Sequence, residues 1–492
     1  MLKEKALQKI QVDSQFQTDI YDFVQNGSEN GIVNAVAGSG KTTTILKSLQ
    51  FVDKNLDINF LAFNKSIVDN LRSKITKSVD VSTFHSLGYS SLLKYNSSKV
   101  DENKIKKIIY ENLKRFKIPK KEENSFVYSV QKLVDFIRLN NCAGSIDKIY
   151  ELIDKHGILI NEQQIEYALE ILRICNNQET VDFVDMLYRP VNEDIKMKKY
   201  DLVYVDESQD LSIIQQHLLK KILKPKARFI AVGDGFQSIY GFSGSDYESF
   251  NNLKNSPNTV ELPLSICYRC AKSIVRLASE IVPHIQYHES ANEGSVRNGY
   301  IREIQAGDWV VCRNTKPLFV LCLQLFEKRK KAYIKGHDFG NELISMITST
   351  NTDNVVIATT KLNSTLDKYY DKLKSYGIAN PENTSSYNNL LEKIDIIVDV
   401  IFNSVKTVKE GIKLVNEMFN EKSDEHRITL STIHRSKGFE ADRVFVLRKE
   451  LMPNKFAVQD WELQQEKNLE YVCYTRAKND LIFIVDFIEK TK

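Results

Sequence analysis

An α/β fold with two parallel-sheet domains, each interrupted by a mainly helical insertion, is predicted by three features of this 492-residue chain. Short apolar runs ending in polar or glycine-rich loops alternate with helical segments over most of its length, the pattern of a parallel sheet rather than of hairpins. One run breaks into a glycine-rich loop at a helix start, and another ends in adjacent carboxylates. Two Lys/Asn-rich stretches with helical apolar spacing interrupt the alternation.

The first run is Gly31-Ile-Val-Asn-Ala-Val-Ala-Gly-Ser-Gly-Lys-Thr42, followed by Thr43-Thr44-Ile45-Leu46-Lys47-Ser48-Leu49, which reads as a helix. Backbone N–H groups of Ala37, Gly38, Ser39, Gly40, Lys41, Thr42 and Thr43 in such a loop point inward and cradle phosphates. Lys41 is placed for the β/γ-phosphates and Thr42 for Mg²⁺, with Ala35 standing where the pattern begins with glycine. Ile58–Phe63 and Asp80–His85 follow as strands ending in polar loops. Tyr200–Val205 is an apolar strand that runs into Asp206-Glu207-Ser208-Gln209-Asp210. Ligands sit at the carboxyl ends of strands in open α/β sheets, which brings these acids beside the phosphate loop. Asp206 is expected to hold Mg²⁺ through its water shell, and Glu207 to orient and deprotonate the attacking water. A glycine-rich turn with a surface lysine would leave these carboxylates unexplained; together the two segments predict an NTPase.

Ala227–Asp234 and Thr259–Leu264 complete the first set of strands, and Trp309–Cys312, Ala332–Lys335, Ile428–Ile433, Val444–Leu447 and Leu481–Val485 make the second. Helical spacing in Ile105–Leu113 and Val130–Leu139 marks the first insertion, and the second runs from about residue 343 to residue 425.

Composition sets loose bounds. The balance of 68 basic and 64 acidic residues gives net +4, so any nucleic-acid path must be a local groove rather than a global field. Seven scattered cysteines suit a reducing compartment. Cys267-Tyr-Arg-Cys270 lacks a second Cys/His pair to complete four ligands, and zinc is not expected there. With no signal peptide and no apolar run of membrane-spanning length, the chain is expected to be soluble and cytoplasmic.

In their order along the chain these motifs resemble superfamily 1 DNA helicases of the UvrD/Rep/PcrA group. Phe63-Asn-Lys-Ser66 and Thr83-Phe-His-Ser-Leu87 are closest in wording to the F-box DNA helicase branch and small phage or bacterial relatives, and Val181-Asp-Phe-Val-Asp-Met-Leu187 is similar to a further family box. The resemblance implies two RecA-like domains with ATP in the cleft between them and single-stranded DNA crossing both. On that pattern residues 1–89 and 181–270 form the first RecA-like domain around the helical insertion 90–180. Residues 271–342 and 426–492 form the second around the short insertion 343–425.

The resemblance also implies roles. Gln17 reads adenine, Gln237 in Gly233-Asp-Gly-Phe-Gln-Ser-Ile-Tyr-Gly-Phe242 senses the γ-phosphate, Tyr268 stacks on adenine, and Arg269 contacts the γ-phosphate. Glu440 in His434-Arg-Ser-Lys-Gly-Phe-Glu440 contacts the ribose, and Arg476 is the arginine finger of the second domain. Charge spreading over the γ-phosphoryl oxygens needs such cations, and a guanidinium fork suits them.

Bases of a single strand stack on aromatic rings at about 1–3 kcal/mol each. Phe63, Tyr240 and Phe242 match DNA-facing rings, although each reads equally well as a core aromatic. Asn64, His85, Thr432 and His434 match backbone or base contacts. Many relatives carry arginine where this chain has Ser243.

The expected activity is thus an ATP- and Mg²⁺-dependent helicase or translocase on single-stranded DNA and single/double-strand junctions, moving 3′→5′ as the family branch does. The alternative is an ATP-switched DNA-binding subunit that needs a nuclease, recombination or defence partner and does not unwind processively. An RNA helicase of the same superfamily fits the motif wording less well.

Overall fold

The computed structural model describes residues 13–62, 67–69, 72, 79–95, 99–120, 123–156, 158, 160–239, 241, 248–375, 380–420 and 426–488. The chain divides into two compact units, Met1–Ser265 and Ile266–Lys492, and each holds one parallel sheet.

In the first unit the strands are β1 (Asn30–Ala35), β2 (Ile58–Leu61), β3 (Asp80–Ser82), β4 (Tyr200–Val205), β5 (Leu223–Gly233) and β6 (Thr259–Leu264). Their spatial order is β3-β2-β4-β5-β1-β6, and every neighbouring pair is parallel. Alternate residues feed two cores. Ile32, Val203, Val205, Phe229 and Ala231 face one; Val33, Ala35, Leu202, Tyr204, Ile230 and Val232 face the other, where Ile20, Val24, Ile45 and Leu49 of the covering helices pack. Burial on both faces is why these strands read as continuous apolar runs rather than alternating ones. β3 stops at Ser82, earlier than the sequence suggests, because Phe84 and His85 already open the helix Phe84–Tyr95.

The first insertion is helical as expected, with Lys104–Asn112, Glu123–Leu139, Ile146–Lys155 and Glu162–Asn176 lying between β3 and β4. A buried ion cluster ties it down. Arg138 Nη1 donates to Asp182 at 2.9 and 3.0 Å and to Asp185 at 2.9 Å, its Nη2 to Asp135 at 2.6 Å, and Lys104 Nζ to Asp185 at 2.6 Å. The acids of the Val181–Leu187 box therefore act as anchors. Helix Asp185–Asn192 also lies against helix Phe84–Tyr95 so closely that a Cβ on Gly88 would stand 1.7 Å from Met186 O.

In the second unit β7 (Ile266–Cys267) and β8 (Gln286–Tyr287) make a two-stranded parallel ladder. The main sheet holds β9 (Ser295–Gly299), β10 (Trp309–Cys312), β11 (Ala332–Ile334), β12 (Ile428–Thr432), β13 (Ala441–Leu447) and β14 (Ala477–Ile484), in the order β11-β12-β10-β13-β14-β9 and all parallel. β9 escapes sequence reading because it is an edge strand with little apolar content. Val310, Cys312, Leu430, Phe445 and Leu447 meet Leu318, Leu343 and Val415 from helices Lys316–Glu327, His337–Ser349 and Val408–Met418 in the core. The last two helices, with Val355–Ser375 and Ser385–Asp395, form the second insertion between β11 and β12. All seven cysteines are free thiols and buried. Among the described residues no helix is long and apolar enough to cross a membrane.

Candidate active site

Strands β4, β5 and β1 lie side by side and run parallel, so the loops that follow them leave the sheet at one edge. The loop after β1 passes through the left-handed region at Gly38 (φ 69°) and Gly40 (φ 81°). Space is not the constraint at Gly40, since nothing lies within 4 Å of where its Cβ would stand; the backbone angle is. Helix Lys41–Ser48 starts directly after it, and Thr44 donates to Gly40 O from both N (2.9 Å) and Oγ1 (3.0 Å). Ser39 Oγ is buried with no hydrogen-bond partner. A buried hydroxyl left this way in a glycine-rich loop at a helix start fits a phosphate oxygen.

The loop after β4 supplies the carboxylates. Thr42 Oγ1 donates to Asp206 Oδ2 at 3.2 Å, and Glu207 N–H donates to Asp206 Oδ1 at 3.0 Å. Asp206 is only 3% exposed. Burial, then the charge of Glu207, pushes its carboxyl up to about 7 against the opposing pull of Lys41. A hydroxyl in contact with a buried acid forms a donor set suited to a hydrated divalent cation, so the residues present fit Mg²⁺. Glu207 adopts a left-handed backbone (φ 51°, ψ 44°), a conformation that costs a side-chain-bearing residue about 1–3 kcal/mol and recurs at functional sites. Its Oε2 lies 3.9 Å from Lys41 Nζ and accepts from Gln209 Nε2 at 2.6 Å.

Gln209 carries the connection onward. Its Oε1 accepts from the Asp234 N–H at 3.0 Å, and Asp234 Oδ2 accepts from Gln237 Nε2 at 2.7 Å. The loops after β4 and β5 are therefore joined through one amide, from Glu207 to Gln237. Gly233 makes room for it, because a Cβ there would stand 2.6 Å from Gln209 Oε1 and 2.7 Å from Ser208 Oγ. Gln209 lies within the acidic run, and no spacing rule marks an amide there as the bridge between two loops.

Gln17 is buried. Its Oε1 accepts from Ser14 N–H at 2.9 Å, closing a helix cap, and its Nε2 donates to Thr44 Oγ1 at 3.0 Å. The residue thus links helix Gln15–Asn26 to the phosphate-loop helix.

The second unit gathers its own set. Arg269 pairs with Glu440 at 2.5 Å and donates to Thr475 O at 3.3 Å. Glu440 also meets Lys478 at 2.9 Å. Burial pushes the Glu440 carboxyl up, but the Lys478 bond and the two cations outweigh it and hold it below its ordinary value. Arg476 is buried and donates to Val472 O and Phe439 O, each at 3.0 Å. Tyr268 packs against His288, another residue the sequence did not flag.

Of the expected DNA contacts, Phe63, Asn64, Tyr240 and Phe242, with Ser243, lie outside the described residues. His85 sits in the first turn of helix Phe84–Tyr95, where burial lowers its pKa. Thr432 ends β12 and caps the short helix Ile433–Ser436 by accepting from Arg435 N–H at 3.4 Å. Burial, then the charge of Arg313, pushes His434 down to about 3, which makes it a neutral imidazole.

Two family patterns match this chain. The UvrD/REP helicase N-terminal domain matches residues 17–258 and the UvrD-like helicase C-terminal domain matches residues 324–486. The chain is similar to the ATP-dependent DNA helicase PcrA of Staphylococcus aureus (strain Mu50 / ATCC 700699), at 22% identity over 92% of this chain and 80% of that protein. It is also similar to the ATP-dependent DNA helicase PcrA of Staphylococcus epidermidis (strain ATCC 12228 / FDA PCI 1200), at 24% identity over 56% of this chain and 43% of that one.

Proposed function

The chain belongs to the UvrD/Rep/PcrA-like superfamily 1 DNA helicases, which hydrolyse ATP, and from that premise we propose that it translocates 3′→5′ on single-stranded DNA and separates duplex strands at junctions. The observation that carries the reading is the convergence of Lys41, Thr42, Asp206 and Glu207 on the sheet edge where β1 and β4 end. The polarity is that of the family branch its motifs resemble.

In this reading the loop N–H groups of residues 37–43 and Lys41 bind the ATP phosphates. Thr42 and Asp206 would hold Mg²⁺, whose positive charge would serve the phosphate oxygens. Glu207 orients and deprotonates the attacking water, with Lys41 and Gln209 fixing its carboxylate. Gln237 reports the γ-phosphate through its bond to Asp234. Gln17 and Tyr268 serve the adenine and Glu440 the ribose. Arg269 and Arg476 provide cations for the developing γ-phosphate charge. Arg269 is engaged by Glu440, so reaching a phosphate requires exchange of one anion for another. For DNA, Phe63, Tyr240 and Phe242 stack on bases, while Asn64, His85, Thr432 and His434 make polar contacts; a neutral His434 serves as a hydrogen-bond partner rather than a phosphate-binding cation.

The test is strand separation of duplexes carrying a 3′ tail, a 5′ tail or none, with ATP, and with Lys41→Ala as the inactive control. Unwinding from the 3′ tail alone is expected. DNA-stimulated ATP turnover without unwinding of any substrate would instead assign the chain to the ATP-switched subunits that act through a partner.

A further inference from the structure

The two-stranded ladder of the second unit delivers one side chain to Tyr268 by register. Cys267 of β7 pairs with Tyr287 of β8, which makes Tyr268 and His288 the next rung, and His288 N–H closes it on Cys267 O at 3.3 Å. Neighbouring strands stand about 4.8 Å apart, so rings at the same rung and on the same side meet. Their centroids are 4.9 Å apart, with planes at 36°. Tyr287, one residue earlier, lies under Lys272 and Arg276, whose cations stand 5.5 and 5.8 Å from its ring centre.

The imidazole is locked. His288 Nδ1 lies 2.7 Å from Ser290 Oγ and accepts from Ser290 N–H at 3.3 Å. With Nδ1 accepting, the ring N–H lies on Nε2. Both Tyr268 and His288 are half-buried rather than packed into a core. A pair built only for stability would bury both rings, and neither ring of this pair is fully buried.

We propose that His288 is a positioning residue for the nucleotide base: it backs Tyr268, and the two rings form one platform on which the purine stacks over Tyr268. This rests on the reading of Tyr268 as the base-stacking ring. Pinning the phenol before nucleotide arrives removes the ordering cost from binding and leaves the chemical step untouched. The platform favours a purine over a pyrimidine, whose smaller ring overlaps it less.

The experiment is steady-state ATP hydrolysis by the full chain with His288→Ala, His288→Phe and Tyr268→Ala, repeated with CTP. Aromatic pair energies translate into a rise of about three- to tenfold in KM for ATP in His288→Ala. kcat is expected to stay within about twofold, the CTP effect to be smaller, and His288→Phe to restore KM. If Tyr268→Ala raises KM while His288→Ala does not, or if His288→Ala lowers kcat at constant KM, the proposal is overturned and the Tyr268 reading stands. If neither variant moves KM, the reading of Tyr268 fails and the proposal with it. Should His288→Ala not fold, His288→Leu keeps side-chain bulk without the ring; a rise in KM is then expected, and no change overturns the proposal.

Discussion

Thr42 Oγ1 donates to Asp206 Oδ2 at 3.2 Å, a bond between the phosphate-loop helix and the end of β4 across 164 residues of sequence. It puts the two candidate Mg²⁺ ligands in contact and leaves Asp206 as a buried acid pushed up to about 7. A cation must displace the proton of such a group. Affinity for Mg²⁺ with a non-hydrolysable ATP analogue is therefore expected to fall by up to about tenfold per pH unit below neutrality and to level off above it. The sign for folding is opposite. An acid raised in the folded state stabilises the nucleotide-free protein at low pH, and that contribution is lost as pH rises from the ordinary carboxylate range toward neutrality. Calorimetric titration at pH 6 and pH 8 checks the first effect, and a pH-independent affinity would remove Asp206 from the cation site.

Glu207 combines three restraints on one side chain: a left-handed backbone, Lys41 at 3.9 Å and Gln209 at 2.6 Å. Replacing its carboxylate by an amide keeps the shape and removes the basicity. Glu207→Gln is expected to bind ATP normally while turnover drops by about 10²–10⁴-fold. Residual hydrolysis near the wild-type rate would assign the base to another residue.

Gln209 joins Glu207 to the Asp234–Gln237 turn, so its removal tests whether the two loops act together. Gln209→Ala is expected to lower kcat by about 10- to 100-fold, with KM for ATP little changed, and to weaken the DNA stimulation of turnover. Gly233→Ala pushes a methyl into the same amide and is expected to reproduce the defect. Normal DNA stimulation in both variants would mean that Gln237 acts without Gln209.

The sheets and the loops of the candidate site are legible because burial on both faces writes strands as apolar runs, and because the glycine, lysine and acids of the expected phosphate site stand in contiguous segments. Tyr200–Val205 and Trp309–Cys312 coincide with β4 and β10 for that reason. Ser295–Gly299 was not legible, since an edge strand needs no apolar run. Gln209 and His288 were hidden for a different reason. Their importance lies in which residue they touch, and those contacts are set by loop geometry and strand register. The acids of Val181–Leu187 were visible as a motif, but their partners Arg138 and Lys104 lie 44 and 81 residues away.

That last cluster makes a stability prediction. Arg138 is fully buried. Burial acts to discharge it, yet the charges of Asp182, Asp185 and Asp135 outweigh burial and hold it protonated. Truncation to alanine leaves Asp182 and Asp185 buried with Lys104 as their remaining cation. Uncompensated buried charge costs about 3–5 kcal/mol, so Arg138→Ala is expected to lower the unfolding free energy of the first unit by that amount. Arg138→Lys should recover only part of it, because an ammonium cannot reproduce the guanidinium fork that reaches three carboxylates. Urea unfolding followed by fluorescence measures the loss. A decrease below about 1 kcal/mol would show that the acids find other partners or water once the arginine is gone, and that the insertion is held by its apolar contacts instead.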